Sequence, residues 1–193
     1  MPDAILRLPD TIKNRHRRYL QKQTTEMKAL KRLPLLIMLA ITIAASAQIK
    51  IPETKVSFSF PNGGWKYLET NKINNNTVVY LYSYSKENVV DNGDTVIPFM
   101  RIYVRKNFQG SVFDLAYQRF TTQPFESLGE YPFLDGLGYQ GIYADDGDNK
   151  EYQFRMVYIK DRTTAIEIRL ETSRGTYDKF DKEFMSILNT VKK

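Results

Sequence analysis

The stretch from Lys150 to Thr172 decides what this chain can fold into. Two runs, KEYQFRMVYIK (150–160) and TTAIEIRLET (163–172), are dense in β-branched and aromatic residues and are split by an Asp-Arg turn. In the second run Ile166, Ile168 and Leu170 alternate with Glu167, Arg169 and Glu171. A period of two sends alternate side chains to opposite faces of a strand. The pattern predicts an antiparallel sheet with the aliphatic face buried and Glu167, Arg169 and Glu171 in water.

Other runs extend the sheet. KVSFSFP (55–61) sets Val56, Phe58 and Phe60 on one face and stops at Pro61. Asn62-Gly63-Gly64 turns the chain into WKYLET (65–70), where Trp65, Tyr67 and Glu69 are expected to share a face, and NKINNN (71–76) reads as a loop. TVVYLYSY (77–84) and VIPFMRIYVRK (96–106) read as strands joined across DNGD (91–94), with Pro98 suited to a strand start or edge. FESLGEYPFL (125–134) holds a short strand, and GLGYQGIYA (136–144) opens a meander that continues across DDGDN (145–149).

Two segments change to helical spacing. In SVFDLAYQRF (111–120), Ser111 is an N-cap and Val112, Leu115, Ala116 and Arg119 or Phe120 follow a helical stripe. In TYDKFDKEFMSILNTVKK (176–193), Tyr177, Phe180, Phe184, Ile187, Leu188 and Val191 recur at three- and four-residue steps. Thr176 is its expected cap, and Lys192 and Lys193 are expected to face its negative end. This helix is expected to cover the apolar face of the sheet. The fold class is α+β, with a central antiparallel sheet of about six or more strands and a C-terminal amphipathic helix.

The N-terminal part reads differently. In MKALKRLPLLIMLAITIAASAQ (27–48), Lys28, Lys31 and Arg32 precede an uncharged run that ends in Ala45-Ser46-Ala47. That is the three-part layout of a secretory signal, with cleavage between Ala47 and Gln48. The apolar run is shorter than the roughly 20 residues a spanning helix needs. Residues 1–26 are basic and lack an apolar period, so Met27 is read as the true start and 1–26 as a non-native extension, with a long basic leader to the signal as the alternative. The working domain is then 48–193, exported to the periplasm or beyond, with no stable membrane span.

Composition narrows its chemistry. The formal net charge of +6 is misleading, because nine of the 28 basic and three of the 22 acidic residues precede Gln48, leaving 19 of each. A neutral domain offers no general basic surface for nucleic acid. The sequence has no cysteine, and its one histidine, His16, also precedes Gln48. Cysteine and histidine nucleophile–base mechanisms and the usual zinc sites are therefore closed to residues 48–193. No metal or other cofactor is expected.

The order of elements is also informative. Phe58, Phe60, Pro61, Gly64 and Trp65 mark an opening hairpin, and Tyr177, Lys179, Glu183, Phe184, Ile187 and Leu188 mark the closing helix. These residues resemble the PsbP-like superfamily over most of 52–193. The resemblance implies an α/β/α sandwich and a non-enzymatic protein that binds a larger membrane or protein assembly. The domain has neither a histidine to match the metal ligands proposed for photosynthetic members nor a basic docking stretch, so the resemblance does not extend to their role.

Several stretches bear on a site. Tyr80, Tyr82 and Tyr84 share a strand face and read as packing beneath a helix rather than a stacking platform. Arg101, Tyr103 and Arg105 share a face and form either an anion-gripping stripe or a solvated surface balanced by Glu167 and Glu171. DDGDN lacks the spacing of a calcium loop, and SYSK (83–86) lacks the companion motifs of penicillin-recognising enzymes. NNT (75–77) is a formal glycosylation sequon. Trp65, Arg101, Tyr103 and Arg105 are the candidate binding residues, with an envelope protein as the expected partner and a small ligand in an aromatic-lined pocket as the alternative. Intact mass of the exported protein checks the boundary: a chain starting at Gln48 is expected, and one retaining 27–47 contradicts the signal reading.

Overall fold

A computed structural model describes residues 47–145 and 150–193. The signal-like segment 27–46, including Ala45, the leading 1–26 and the loop 146–149 lie outside the described residues. Eleven strands and two α-helices follow one another along the described chain. A hairpin of β1 (Ile49–Lys50) and β2 (Ser57–Phe58) comes first, then the long β3 (Trp65–Asn74) and β4 (Thr77–Tyr84). A small hairpin of β5 (Val89–Asp91) and β6 (Asp94–Val96) leads to β7 (Phe99–Arg105) and helix α1 (Val112–Thr122). The meander β8 (Ser127–Tyr131), β9 (Leu137–Asp145), β10 (Lys150–Asp161) and β11 (Thr164–Ser173) precedes helix α2 (Tyr177–Leu188).

Seven strands form one antiparallel sheet in the order β3-β4-β7-β11-β10-β9-β8. β11 therefore sits at the centre, against β7 on one side and β10 on the other. After β7 the chain must pass to the far edge before the meander can return to the middle. α1 makes that passage and packs on the sheet as it goes.

Both faces are covered, which makes an α/β/α sandwich. On the first face Met100, Ile102 and Val104 of β7, Val157 and Ile159 of β10, and Ile166, Ile168 and Leu170 of β11 pack with Phe180, Phe184, Ile187 and Leu188 of α2. Tyr80, Tyr82 and Tyr84 join this core, as packing residues. On the second face Leu115 and Ala116 of α1 pack with Tyr139, Tyr143, Phe154, Met156 and Tyr158. Gly141 leaves room for the second layer, because a Cβ there would strike the Ser127 carbonyl and the Phe154 ring.

Local chemistry explains most boundaries. Ser111 and Asp114 form a reciprocal capping box that starts α1. Asn92 and Gly93 carry positive φ angles, 50° and 90°, in the turn between β5 and β6. That turn belongs to a separate hairpin, so β4 and β7 are not joined directly across DNGD.

Some expectations are corrected. β3 runs on to Asn74 instead of giving way to a loop, because β4 pairs with it almost to the turn. Leu68 is an extra residue in that ladder, so Glu69 lies opposite Leu81 while Tyr67 lies opposite Tyr82. This bulge moves Glu69 to the face opposite Trp65 and Tyr67. α2 ends at Leu188, and Lys192 instead bridges to Ser57 through two 2.9 Å backbone bonds. Thr176 makes no side-chain cap; its hydroxyl meets Thr172, Ser173 and the Ser173 carbonyl.

The largest correction concerns β11. Glu167, Arg169 and Glu171 do not face water: they are 3%, 3% and 1% exposed. α1 covers the face they occupy, and arginines partner their charges.

One ion pair ties α2 to the sheet. Arg155 Nε of β10 donates to Asp181 Oδ1 at 2.6 Å. That bond, helped by the Tyr177 hydroxyl, holds the Asp181 carboxyl below its ordinary 3.8. A carboxyl depressed in the fold contributes stability above its unfolded value and loses it as pH falls through the folded one. Asp181→Asn is therefore expected to be less stable than the parent at pH 7, with the difference closing as pH falls below 3.8. Urea unfolding at a series of pH values reads this, and a difference that does not narrow contradicts it.

Candidate functional site

The alternation of β7 places Arg101, Tyr103 and Arg105 on the second face, opposite its aliphatic residues. Pairing with β11 sets Arg101 beside Arg169, Tyr103 beside Glu167 and Arg105 beside Ala165. On the other side of β11, Tyr158, Met156 and Phe154 of β10 stand opposite Glu167, Arg169 and Glu171. A charged column thus runs along the central strand, with Arg101 and Tyr103 on one side and Tyr158, Met156 and Phe154 on the other.

α1 completes the column. Its Arg119 Nε donates to Glu167 Oε2 at 3.0 Å. Arg169 Nη2 lies 3.4 Å from Glu167 Oε1, and Arg169 Nη1 lies 3.8 Å from Glu171 Oε2. Arg101 pairs with Glu171, whose second oxygen accepts from the Tyr143 hydroxyl at 2.9 Å. Gln123, the C-cap of α1, accepts from Arg169 Nη1 at 3.0 Å. The guanidinium groups of Arg119 and Arg169 lie 4.7 and 5.7 Å from the Tyr103 ring centre, so that ring is held between cations.

Burial and charge shape the proton affinities here. Burial works against the charged form of Arg119, but Glu167 outweighs it and raises the guanidinium above its ordinary value. Burial raises the Tyr143 phenol, against the opposing pull of Arg169 and Arg101. Burial likewise raises Tyr158, and Glu167 adds to it. Tyr143 and Tyr158 therefore stay neutral hydrogen-bonding groups at ordinary pH.

Beside this braced column lies a cleft of about 260 Å3, between α1 and the strands β4, β7 and β11. Tyr103, Glu167, Leu115 and Ala165 line it, with Arg105, Arg119, Gln118, Thr77, Thr121 and Thr122. Arg105 Nη1 donates to Gln118 Oε1 at 2.6 Å, and its guanidinium lies 5.7 Å from the Phe108 ring centre.

Of the candidate residues, the structure brings Tyr103 and Arg105 to this cleft and commits Arg101 to Glu171. Trp65 is on the opposite face, 8% exposed, stacked on Phe60 at 5.6 Å and 9°. Its Nε1 donates to Glu183 Oε1 at 3.2 Å, which locks the start of β3 to α2. Ala47 and Gln48 are exposed, and Gln48 Nε2 donates to Ser57 Oγ at 2.7 Å. Sequence reasoning missed Gln118 and Gln123, and it read Glu167 and Arg169 as solvated. One signal was present: Arg119 falls on the apolar stripe of α1, where a charge needs a partner beneath it.

Among the described residues no group of three His, Cys, Asp or Glu side chains could hold a metal, and no helix is long and apolar enough to cross a membrane. No family model matches the sequence, and no curated protein is similar to it. Solved structures with partial similarity include two from bacteria. One is LpqN of Mycobacterium tuberculosis, involved in cell envelope biogenesis, with 11% identity and a TM-score of 0.43 over 75% of this chain and 86% of that one. The other, from Bacteroides thetaiotaomicron VPI-5482, has 11% identity and a TM-score of 0.41 over 71% of this chain and 44% of that one.

Proposed function

We propose that this chain is an exported, non-catalytic binding protein, and that its ligand site is the cleft between α1 and the sheet. The observation that carries the reading is a cleft whose floor is fixed by ion pairs between helix and strand. Preformed hollows with an apolar wall and a few placed polar groups are the usual form of small-ligand sites. At about 260 Å3 the cleft suits a small metabolite. Glu167 is the carboxylate that lines it, and two arginines hold that group, so it is poorly placed as a free base. The signal-like segment 27–48 supports export, and the PsbP-like resemblance points to a non-enzymatic role.

A second reading, an accessory protein that docks an envelope protein, has its own observation. Phe113 and Tyr117, one turn apart on α1, are 64% and 69% exposed. Isolated exposed aromatics are common, but two on one helical face present the kind of aromatic pair that anchors interfaces.

A thermal-shift screen of envelope metabolites separates the two, because a ligand that binds only the folded state must stabilise it. At least one compound is expected to raise the melting temperature of the parent. Thr121→Trp, which fills the cleft mouth from an exposed position, is expected to abolish that rise. Stabilisation that survives Thr121→Trp places the ligand elsewhere. No stabilisation, together with loss of in-cell cross-links on Phe113→Asp/Tyr117→Asp, favours the docking reading.

A further inference from the structure

The charge balance around the cleft, on β7, β11 and α1, indicates what it binds, an inference that rests on the cleft being the site. On β7, β11 and the sheet-facing side of α1, four guanidinium groups, Arg101, Arg105, Arg119 and Arg169, stand against two carboxylates, Glu167 and Glu171. Arg101 pairs with Glu171, Arg119 with Glu167, and Arg169 with both. Arg105 is left to the neutral amide oxygen of Gln118 and the Phe108 ring. Other acids near this end are engaged. Asp114 accepts from the Ser111 backbone at 2.6 Å and hydroxyl at 2.7 Å, and Glu53 pairs with Lys106 at 2.5 Å.

Glutamine thus stands where a carboxylate would balance Arg105, and the charge excess opens on the cleft. A guanidinium presents five donors in a planar fork, of which Gln118 takes one. With its oxygen turned to Arg105, Gln118 keeps its amide nitrogen as a further donor. Leu115 and Ala165 supply the apolar wall. We propose that the cleft binds a small organic monocarboxylate, with its anionic group on the Arg105 fork and the Gln118 amide and its apolar body against Leu115 and Ala165. One free fork matches one planar anion. A phosphate dianion would call for more donors than this mouth offers.

The test is an NMR titration of the folded protein with hexanoate and phenylacetate, against hexanamide, phenylacetamide and inorganic phosphate. The carboxylates are expected to shift the backbone signals of Arg105 and Gln118, and the amides to bind at least about tenfold more weakly. Arg105→Gln is expected to abolish carboxylate binding. Arg105→Lys, which keeps the charge without the fork, is expected to weaken it. Amides that bind this cleft as well as the acids overturn the anion assignment and leave the cleft as a ligand site. Phosphate binding as tightly as the acids overturns the carboxylate assignment in the same way. If neither acids nor amides shift cleft residues, this inference falls, and the ligand-site reading is decided separately by the thermal-shift screen.

Discussion

Two carboxylates are buried on the central strand, and the rest of the second face is arranged around them. Removing an ion from water costs several kcal/mol even after the protein relaxes, so Glu167 and Glu171 can remain only where cations reach them. Arg169 shares their strand and Arg101 comes from the neighbour β7. The third cation, Arg119, comes from α1. The helix must therefore dock so that this side chain meets Glu167. The capping box at Ser111 fixes where the helix starts and so where along it Arg119 falls. A buried ionic layer of this kind is weak evidence for stability, but it penalises any other seating of α1.

The two faces consequently do different work. The first is an aliphatic and aromatic layer under α2, with Phe184 and Ile187 fully buried. It supplies the area removed from water that holds the domain together. The second combines a smaller aromatic core with the charged column. Because that column is cross-braced, the cleft beside it has a rigid floor. Rigid, pre-oriented polar groups lower the ordering cost of binding. A site on the second face leaves the stabilising layer untouched.

The sequence made much of this legible. The alternation of β7 and β11, the strand 77–84, the Ser111 cap and the apolar stripe of α2 are all local patterns, and each survives in the fold. What failed depended on distant partners. Glu69 changed faces because Leu68 is an extra residue against β4, which no pattern within β3 announces. Glu167, Arg169 and Glu171 looked solvated because strand periodicity separates two faces without saying whether the second is covered. That is set by topology: β8 pairs at the far edge, so α1 must cross the sheet to reach it. Trp65 and the arginine stripe are both candidates in the sequence, and the cross-strand register puts them on opposite faces, because Tyr67, in phase with Trp65, aligns through Tyr82 with Met100, one residue out of phase with Arg101. Arg119 was the available clue, a charge on an apolar stripe that implied a buried counter-charge.

The most direct test is a double-mutant cycle of Arg119→Met and Glu167→Gln, read by urea unfolding of both single variants, the double variant and the parent. If α1 caps a desolvated charged column, the coupling between the two side chains is expected near 2 kcal/mol, toward the upper end for interacting neighbours. A coupling below about 0.5 kcal/mol, the range of solvent-exposed pairs, would mean that this face is open to water and that the cleft has no fixed floor.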